Sequence, residues 1–241
     1  MPAVVRVAPI GPRSVTNMSD YQRREAEILI GNSVGPRHRN AVTRLFTDPA
    51  FALRAARYAL GLPTKMETED RRVLEQVIFP YYLSLPDIHS VLFVGCDWYT
   101  KHYAKVFFQH HDYWTIDNSV TSRRFGASQH IVDSLEYLDL HVPTQHFDLI
   151  ICNGVFGFGL NERQQCERAI ANCYSRLRAN GHFLFGWTDV PARVPIPLGS
   201  IHVLERFQRF AFPAFGTWRY VTQTPYRHTY DFYRKIDADD H

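Results

Sequence analysis

Residues 90–117 read SVLFVGCDWYTKHYAKVFFQHHDYWTID. An apolar strand pattern at 91–94 runs into Gly95, a helical pattern follows, and a second strand pattern ends on Asp117. A strand, a sharp turn, a helix and an acid about 20 residues beyond the turn glycine are typical of an α/β sheet that binds a nucleotide. The stretch therefore predicts a parallel sheet with a nucleotide site at its edge.

Length and charge set broad limits on the class of protein. The 241 residues, 45% of them hydrophobic, are enough to bury a core and most simply form one domain with an added N-terminal part. The net charge of +3 is too small to indicate nucleic acid binding by itself. Residues 1–44 hold seven Arg against three acids, so this segment is interpreted as a solvated arm, with a basic lid or a partner-binding arm as alternatives.

The cysteine and histidine patterns argue against several kinds of site. The four cysteines form no CxxC pair and no apolar run reaches 18 residues, so neither a disulfide framework nor a membrane span is expected. Pro, Arg and Gly interrupt the N-terminus where a signal peptide needs an apolar run, which favours the cytoplasm. The twelve histidines include no HExxH motif, and no metal site is predicted.

Hydrophobic periodicity divides the chain into an N-terminal arm with a helical cap at 1–88 and an α/β domain at 89–241. The cap has helices at 48–61 and from 68 to about Pro80, after a short helix near 21–29. Strands are predicted at 91–95, 113–117, 129–132, 147–152 and 182–187, and helices near 100–109, 119–126, 134–140 and 161–179. A helix at 200–210 and a hairpin of 216–224 with 226–235 follow. This alternation predicts a doubly wound parallel sheet with an antiparallel edge.

Glycine or polar residues end four successive predicted strands. They are Gly95, Asp117, Asp133 and Asn153, and the neighbours Asn118, Ser134 and Gly154 follow three of them. In an open α/β sheet, ligands bind at the carboxyl ends of the strands, where a carboxylate can accept ribose hydroxyls. A plain tight turn and simple helix caps are the alternative explanations for the first three positions.

The order of these motifs resembles the class I S-adenosylmethionine (SAM)-dependent methyltransferases over about 90–190, and the late hairpin extends the likeness to 235. The most specific segments are the 147–153 strand, FDLIICN, and the LRANGHF entry to the fifth strand at 177–183. The resemblance implies a Rossmann-like seven-stranded sheet with an antiparallel last strand. It also implies which part of SAM each strand-end residue contacts. Gly95 would lie along the methionine part, Asp117 would contact the ribose and Asp133 the adenine. Asn153 would face the sulfonium and the acceptor.

The first loop departs from the family pattern. Phe93, Asp97 and Tyr99 stand where the family usually has an acid and two further glycines. Asp tolerates left-handed backbone geometry and can replace one glycine, whereas Tyr99 places a ring in the path of the cofactor. We therefore expect a modified cofactor contact set that includes Asp97 and Tyr99, with a loop that does not bind SAM as the rival.

The acceptor side is predicted around 153–158 and 226–230. The Asn153-Gly154-Val155-Phe156 segment lacks the prolines of the adenine-specific amino-methyltransferases, so adenine methylation is disfavoured. Asn153, His228 and Tyr226 are the candidate catalytic residues, because Tyr226 and His228 share a strand face with Tyr230 and one of them can accept a proton. Asp189 is another candidate base, and ordinary core aromatics are the alternative.

These features predict a SAM-dependent methyltransferase that acts on a small-molecule or natural-product acceptor. A compact, partly apolar acceptor is expected from the aromatic lining residues Trp98, Tyr99, Phe156, Phe158 and Trp187. The alternatives are a nucleic-acid-binding protein of the same fold and a non-catalytic scaffold. A NAD-dependent dehydrogenase is disfavoured because the first loop lacks G-x-G-x-x-G. The sequence leaves the acceptor atom and the oligomeric state open.

Overall fold

The computed structural model describes residues 68–236 without a gap, together with Pro49, Ala52, Leu53, Ala56 and Met66. The four single positions from Pro49 to Ala56 are helical, in the region where the first cap helix is predicted. The basic arm and the predicted helix near 21–29 lie outside the described residues. The division of the chain at residue 88 stays a prediction.

One continuous helical segment precedes the sheet. Helix α1 spans Glu69–Val73, a π-helical turn follows at Leu74–Ile78, and helix α2 spans Phe79–Leu83. Pro80 does not end the segment. It directly follows the π-helical turn, where the Phe79 N–H donates to the Leu74 carbonyl five residues earlier and the regular helical hydrogen-bond pattern is already interrupted.

The sheet has eight strands in the order β3-β2-β1-β4-β5-β8-β6, and β7 also pairs with β8. Their bounds are β1 Ser90–Val94, β2 Asp112–Asp117, β3 Gln129–Val132, β4 Phe147–Asn153, β5 Leu177–Thr188, β6 Gln208–Arg209, β7 Arg219–Val221 and β8 His228–Arg234. Strands β1 to β5 are parallel, and β8 is antiparallel to β5, β6 and β7. Because β6 and β7 pair with successive parts of β8, the eight strands occupy seven positions. The predicted seven-stranded doubly wound sheet with an antiparallel last strand is confirmed as the architecture.

The connections are shorter and tighter than the sequence predicts. Helix α3 spans Tyr103–Val106 and α4 spans Arg163–Arg176, whereas the segments Trp98–Thr100, Val120–Phe125, Leu135–Leu140 and His202–Arg206 are 3-10 helices. The helix predicted at 200–210 is wrong in its second half, because Gln208–Arg209 pairs with β8 as β6. Helix α4 begins through a capping box in which the Glu162 and Gln165 side chains exchange backbone hydrogen bonds.

The hydrophobic core lies on both faces of the sheet. Strands β1 and β4 are buried along their whole length, which explains why they read as continuous apolar runs. One cluster packs Leu92, Ile150 and Phe183 against α4, and the other packs Phe93, Ile151 and Leu184 against the segment before the sheet. Alternate residues of each strand therefore serve opposite faces, and the central strands are held rigidly from both sides.

Candidate functional site

The four predicted strand-end residues lie along one edge of the sheet, the edge formed by the carboxyl ends of the parallel strands. Gly95 follows β1, Asp117 ends β2, Asp133 follows β3 and Asn153 ends β4. His228 begins the antiparallel strand β8 opposite the last residue of β5, so it lies at the same edge. The parallel topology thus brings together residues that are far apart in the sequence.

Two glycines of this edge adopt positive φ angles. Gly95 has φ +85°, and a Cβ atom there would lie 3.1 Å from Cγ1 of Val155. Gly154 has φ +76°, and no heavy atom lies within 4 Å of its Cβ position in the described part of the chain. Gly95 therefore permits a tight turn, and Gly154 leaves open space at the end of β4.

Asp117 fastens the end of β2 to the first loop. Its Oδ2 accepts a hydrogen bond from the Cys96 N–H at 2.8 Å, and its Oδ1 accepts one from the Ser119 N–H at 2.8 Å. Burial raises the pKa of Asp117, and these two hydrogen bonds oppose that rise. Each carboxylate oxygen keeps a second lone pair for a ligand. Asn118, the next residue, is exposed.

The first loop does not use Asp97 as a substitute glycine. The predicted left-handed geometry is wrong, because Asp97 is extended at φ −145° and ψ 178°. Its Oδ1 accepts the Trp98 N–H at 2.7 Å, and Thr100 completes a capping box. The Asp97 carboxylate thus caps the following 3-10 turn, and Asp97 is buried at 8% exposure. The half-buried ring of Tyr99 lies 4.2 Å from the Arg71 guanidinium carbon.

Asp133 links the end of β3 to two partners. Its Oδ1 accepts the Ser134 N–H at 2.8 Å, and its Oδ2 lies 2.8 Å from Nε2 of His141. The Asp133 N–H donates to the Asp117 carbonyl at 3.1 Å, which joins the ends of β2 and β3. Ser134 is half-buried and precedes the Leu135–Leu140 turn without capping it through its side chain. Both residues remain accessible at the rim of the edge.

Asn153 and His228 form a buried hydrogen-bonded pair at this edge. Asn153 Oδ1 lies 2.9 Å from His228 Nε2, and the two residues are 4% and 8% exposed. Asn153 Nδ2 is buried and has no hydrogen-bond partner among the residues that the structure describes. A buried donor without a partner is costly, so this amide N–H is suited to a ligand.

His228 is a neutral imidazole at neutral pH. Burial lowers its pKa to about 4; Asp70 opposes this shift and Arg71 adds to it. Because the amide oxygen of Asn153 only accepts, the His228 proton is assigned to Nε2, and Nδ1 keeps its lone pair. The Tyr230 ring packs against the imidazole edge to face at 4.8 Å.

Tyr226 does not share the strand face of His228 and Tyr230. It precedes β8, and Arg227 between them has φ +48°, which interrupts the strand alternation. Tyr226 is 44% exposed, whereas Tyr230 is fully buried and donates from its hydroxyl to the Asp70 carbonyl at 2.8 Å. The prediction of a common face is therefore correct for His228 and Tyr230 and wrong for Tyr226.

The sequence did not point to two residues near this edge, Arg71 and Gly186. Arg71 of α1 is 7% exposed, and its Nη1 lies 3.4 Å from the Tyr103 hydroxyl. Gly186 of β5 pairs with Asn153 and has no side chain to occupy the space that the amide fills. The available signal for Arg71 is its spacing with Leu74 and Ile78, which places a charged residue on the buried face of the helix.

Two of the predicted aromatic lining residues pack in the core instead. Phe156 is fully buried against Phe185 and Trp187, at ring distances of 5.8 and 6.4 Å. The Trp187 indole N–H donates to Oδ2 of Asp231 at 3.1 Å. Trp98 is also buried, and Phe158 is half-buried beneath the Arg193 guanidinium. The aromatic lining expected for an acceptor is therefore smaller than the sequence predicts.

The described residues lack the features of several other kinds of site. No three His, Cys, Asp or Glu side chains there are grouped so that they could hold a metal ion. The described helices include none with the length and apolarity needed to cross a bilayer. Cys96, Cys152, Cys166 and Cys173 are all buried free thiols. Burial raises the pKa of each of them, so they are unreactive.

Comparison with known proteins identifies the fold. No protein-family model and no curated protein matches this sequence. The solved N-methyltransferase NodS from Bradyrhizobium japonicum WM9 is 18% identical, with 70% of this chain and 99% of that chain covered at a TM-score of 0.50. A TehB-like SAM-dependent methyltransferase from Corynebacterium glutamicum is 19% identical, with 78% and 97% covered at 0.50. The PH0226 protein from Pyrococcus horikoshii OT3 is 12% identical, with 71% and 93% covered at 0.51. This chain therefore has the fold of the class I SAM-dependent methyltransferases.

Proposed function

We propose that this protein is a SAM-dependent methyltransferase that methylates a small-molecule acceptor. The observation that carries the proposal is the buried Asn153–His228 pair, whose amide N–H is unpartnered among the described residues, at the same sheet edge as Gly95 and Asp117. A buried polar pair with an unsatisfied donor at the ligand-binding edge of an α/β sheet is a feature of a working site.

The residues at the edge fit an adenosyl cofactor. Gly95 and Gly154 bring the backbone close to a ligand, and the position that a side chain of Gly154 would occupy is open. Asp117 has lone pairs for the ribose hydroxyls, and Asp133 with Ser134 would bind the adenine. Bound SAM would supply an electrophilic methyl group on its sulfonium.

The acceptor side would be organised by Asn153 and His228. The Asn153 Nδ2 group would donate to an oxygen or nitrogen of the acceptor and orient it. His228, neutral at pH 7, offers the Nδ1 lone pair as a hydrogen-bond acceptor. A base with a pKa of about 4 takes up protons only weakly, so its main contribution would be orientation of the nucleophile. Tyr226, exposed at the rim, stays a candidate for contact with the acceptor.

A compact acceptor agrees with the few, convergent polar groups of the site. NodS is named an N-methyltransferase and the C. glutamicum protein a SAM-dependent methyltransferase, which supports methyl transfer here by analogy of fold. The acceptor we propose is a small molecule or a natural-product intermediate. The atom that is methylated is left to experiment.

A non-catalytic scaffold is the second candidate, because both Asp117 oxygens already accept backbone N–H groups and Tyr99 stands in the first loop. Calorimetry and thermal shift with SAM, S-adenosylhomocysteine, NAD and ATP test the proposal. At 100-fold over its Kd, the true cofactor should stabilise the protein by about 2.7 kcal/mol. Stabilisation by SAM and S-adenosylhomocysteine alone supports the methyltransferase. A protein that binds neither SAM nor S-adenosylhomocysteine would be the non-catalytic scaffold. Salt-sensitive binding of nucleic acid would indicate the nucleic-acid-binding protein of the same fold.

A further inference from the structure

Arg71 is a buried cation whose charge is only partly compensated. Its nearest carboxylate is that of Asp70, with Oδ2 at 3.8 Å from Arg71 Nε, beyond hydrogen-bond distance. Its one hydrogen bond to a described side chain is a long one, from Nη1 to the Tyr103 hydroxyl at 3.4 Å. The Nε–H is buried and lacks a hydrogen-bond partner in the part of the chain that the structure describes. This buried guanidinium therefore has an unsatisfied Nε–H donor and one carboxylate at ion-pair distance among the described residues.

The surroundings of Arg71 belong to the candidate site. The Tyr99 ring, from the loop after β1, lies at 4.2 Å from the guanidinium carbon. The backbone carbonyl of the neighbouring Asp70 accepts from the Tyr230 hydroxyl, and Arg71 acts electrostatically on His228. Arg71 thus contacts the predicted cofactor loop and lies within electrostatic range of the Asn153–His228 pair, and these are the two halves of the site.

We propose that Arg71 binds a carboxylate group of a ligand in this site. The guanidinium edge matches a carboxylate through two parallel N–H···O hydrogen bonds, and a ligand carboxylate would supply both the missing charge and the missing acceptor. The inference rests on the proposed function, because the site is taken to be the one that holds cofactor and acceptor.

Binding of a carboxylate by Arg71 also gives a role to Tyr99. This tyrosine occupies a position where class I SAM-dependent methyltransferases usually have glycine. The guanidinium carbon of Arg71 lies over the aromatic face of Tyr99, a contact that uses none of the Arg71 N–H donors. Tyr99 would then be a positioning residue for Arg71.

The carboxylate has two possible sources in a methyltransferase site. One is the amino-acid end of SAM, and the other is an acidic group on the acceptor. Methylthioadenosine distinguishes them, because it shares the adenosine of S-adenosylhomocysteine but has no carboxylate. Benzoate and its neutral analogue benzamide probe the acceptor side.

The test compares Arg71→Met with Arg72→Met, its exposed neighbour on the same helix, as the matched control. If the carboxylate belongs to the cofactor, Arg71→Met should weaken S-adenosylhomocysteine about 10- to 100-fold by calorimetry and change methylthioadenosine less than about 2-fold. If it belongs to the acceptor, both nucleosides bind normally. In that case benzoate, unlike benzamide, stabilises the wild type with methylthioadenosine bound, and Arg71→Met abolishes that stabilisation. Arg72→Met should match the wild type throughout.

Arg71→Lys keeps the positive charge but cannot form two parallel hydrogen bonds with a carboxylate. It should retain part of the affinity, whether the carboxylate belongs to the cofactor or to the acceptor. Thermal melting of each variant without ligand checks the fold, and Arg71→Gln replaces Arg71→Met if the latter unfolds. Equal responses of wild type and variant to S-adenosylhomocysteine and to benzoate overturn the inference, although the methyltransferase proposal survives. A wild-type protein that binds neither nucleoside defeats the proposed function itself, which keeps the two failures distinct.

Discussion

Gly186 lies beside Asn153 across the β4–β5 pairing, and a Cβ atom on Gly186 would be 1.9 Å from Asn153 Oδ1. The same Cβ would be 3.2 Å from Nε2 of His228. The hydrogen bond between Asn153 and His228 therefore needs a residue without a side chain at position 186, and this relationship makes the pair testable without touching either member.

Gly186→Ala should displace the Asn153 amide and cost about 1–3 kcal/mol of folding free energy, because an added methyl group overpacks a buried site. Chemical denaturation measures the loss. The double variant Gly186→Ala with Asn153→Ala should recover part of it, since the clashing amide is gone. Additive losses in this cycle would show that the two residues do not compete for the same space.

His228→Ala should reduce turnover of an identified acceptor by about 10²-fold, the cost of a misplaced nucleophile, while S-adenosylhomocysteine affinity stays nearly unchanged. The reason is that His228 pairs with Asn153, on the proposed acceptor side, and makes none of the Asp117 contacts. Steady-state kinetics and calorimetry give the two readouts, with exposed Tyr226→Phe as a comparison. Parallel losses of binding and turnover would identify His228 as a structural residue, and unchanged turnover would leave methyl transfer to proximity alone.

Asp117→Ala should weaken SAM by more than tenfold, because charge-assisted hydrogen bonds to ribose hydroxyls are worth about 1.5–3 kcal/mol. The variant also loses the acceptors for the Cys96 and Ser119 N–H groups, so its melting temperature should fall moderately. Asn118→Ala, at the exposed neighbour, is the control for calorimetry. Equal SAM affinity in wild type and Asp117→Ala would remove Asp117 from the cofactor site.

The sheet was predictable because strands buried on both faces read as apolar runs, and parallel pairing then places Gly95, Asp117 and Asn153 at one edge. The length of the connections was harder to predict. Local propensity does not show that β8 recruits Gln208–Arg209 as a partner strand.

The parts of the site that the sequence did not reveal depend on distant contacts. Arg71 meets Tyr103 32 residues later, and Asn153 meets His228 75 residues later. No local pattern reports such contacts. Asp97 follows a local rule instead: its carboxylate caps the next turn, which competes with the left-handed geometry expected of it.

Two buried histidines should make the stability of the protein depend on pH. Burial lowers the pKa of His228 and of His182 to about 4, below the usual 6.5. Between these pKa values the unfolded chain binds more protons than the folded one. The contribution of the neutral histidines to the free energy of unfolding is therefore fully present above about pH 6.5 and is lost as the pH decreases toward 4. Each histidine should account for about 3 kcal/mol of this loss.

The measurement is the free energy of unfolding from urea titrations between pH 7.5 and about 4, compared among variants. Glutamine at position 182 cannot take up the proton. The free energy of unfolding of His182→Gln should therefore decrease less than that of the wild type as the pH falls, by about the 3 kcal/mol assigned to His182. Asp117 and Asp231, whose pKa values burial raises, act in the opposite direction, but they are common to both proteins and cancel in the difference. His110→Gln, at an exposed position, should reproduce the wild-type curve. A His182→Gln curve parallel to the wild type would show that His182 is solvated in the folded protein.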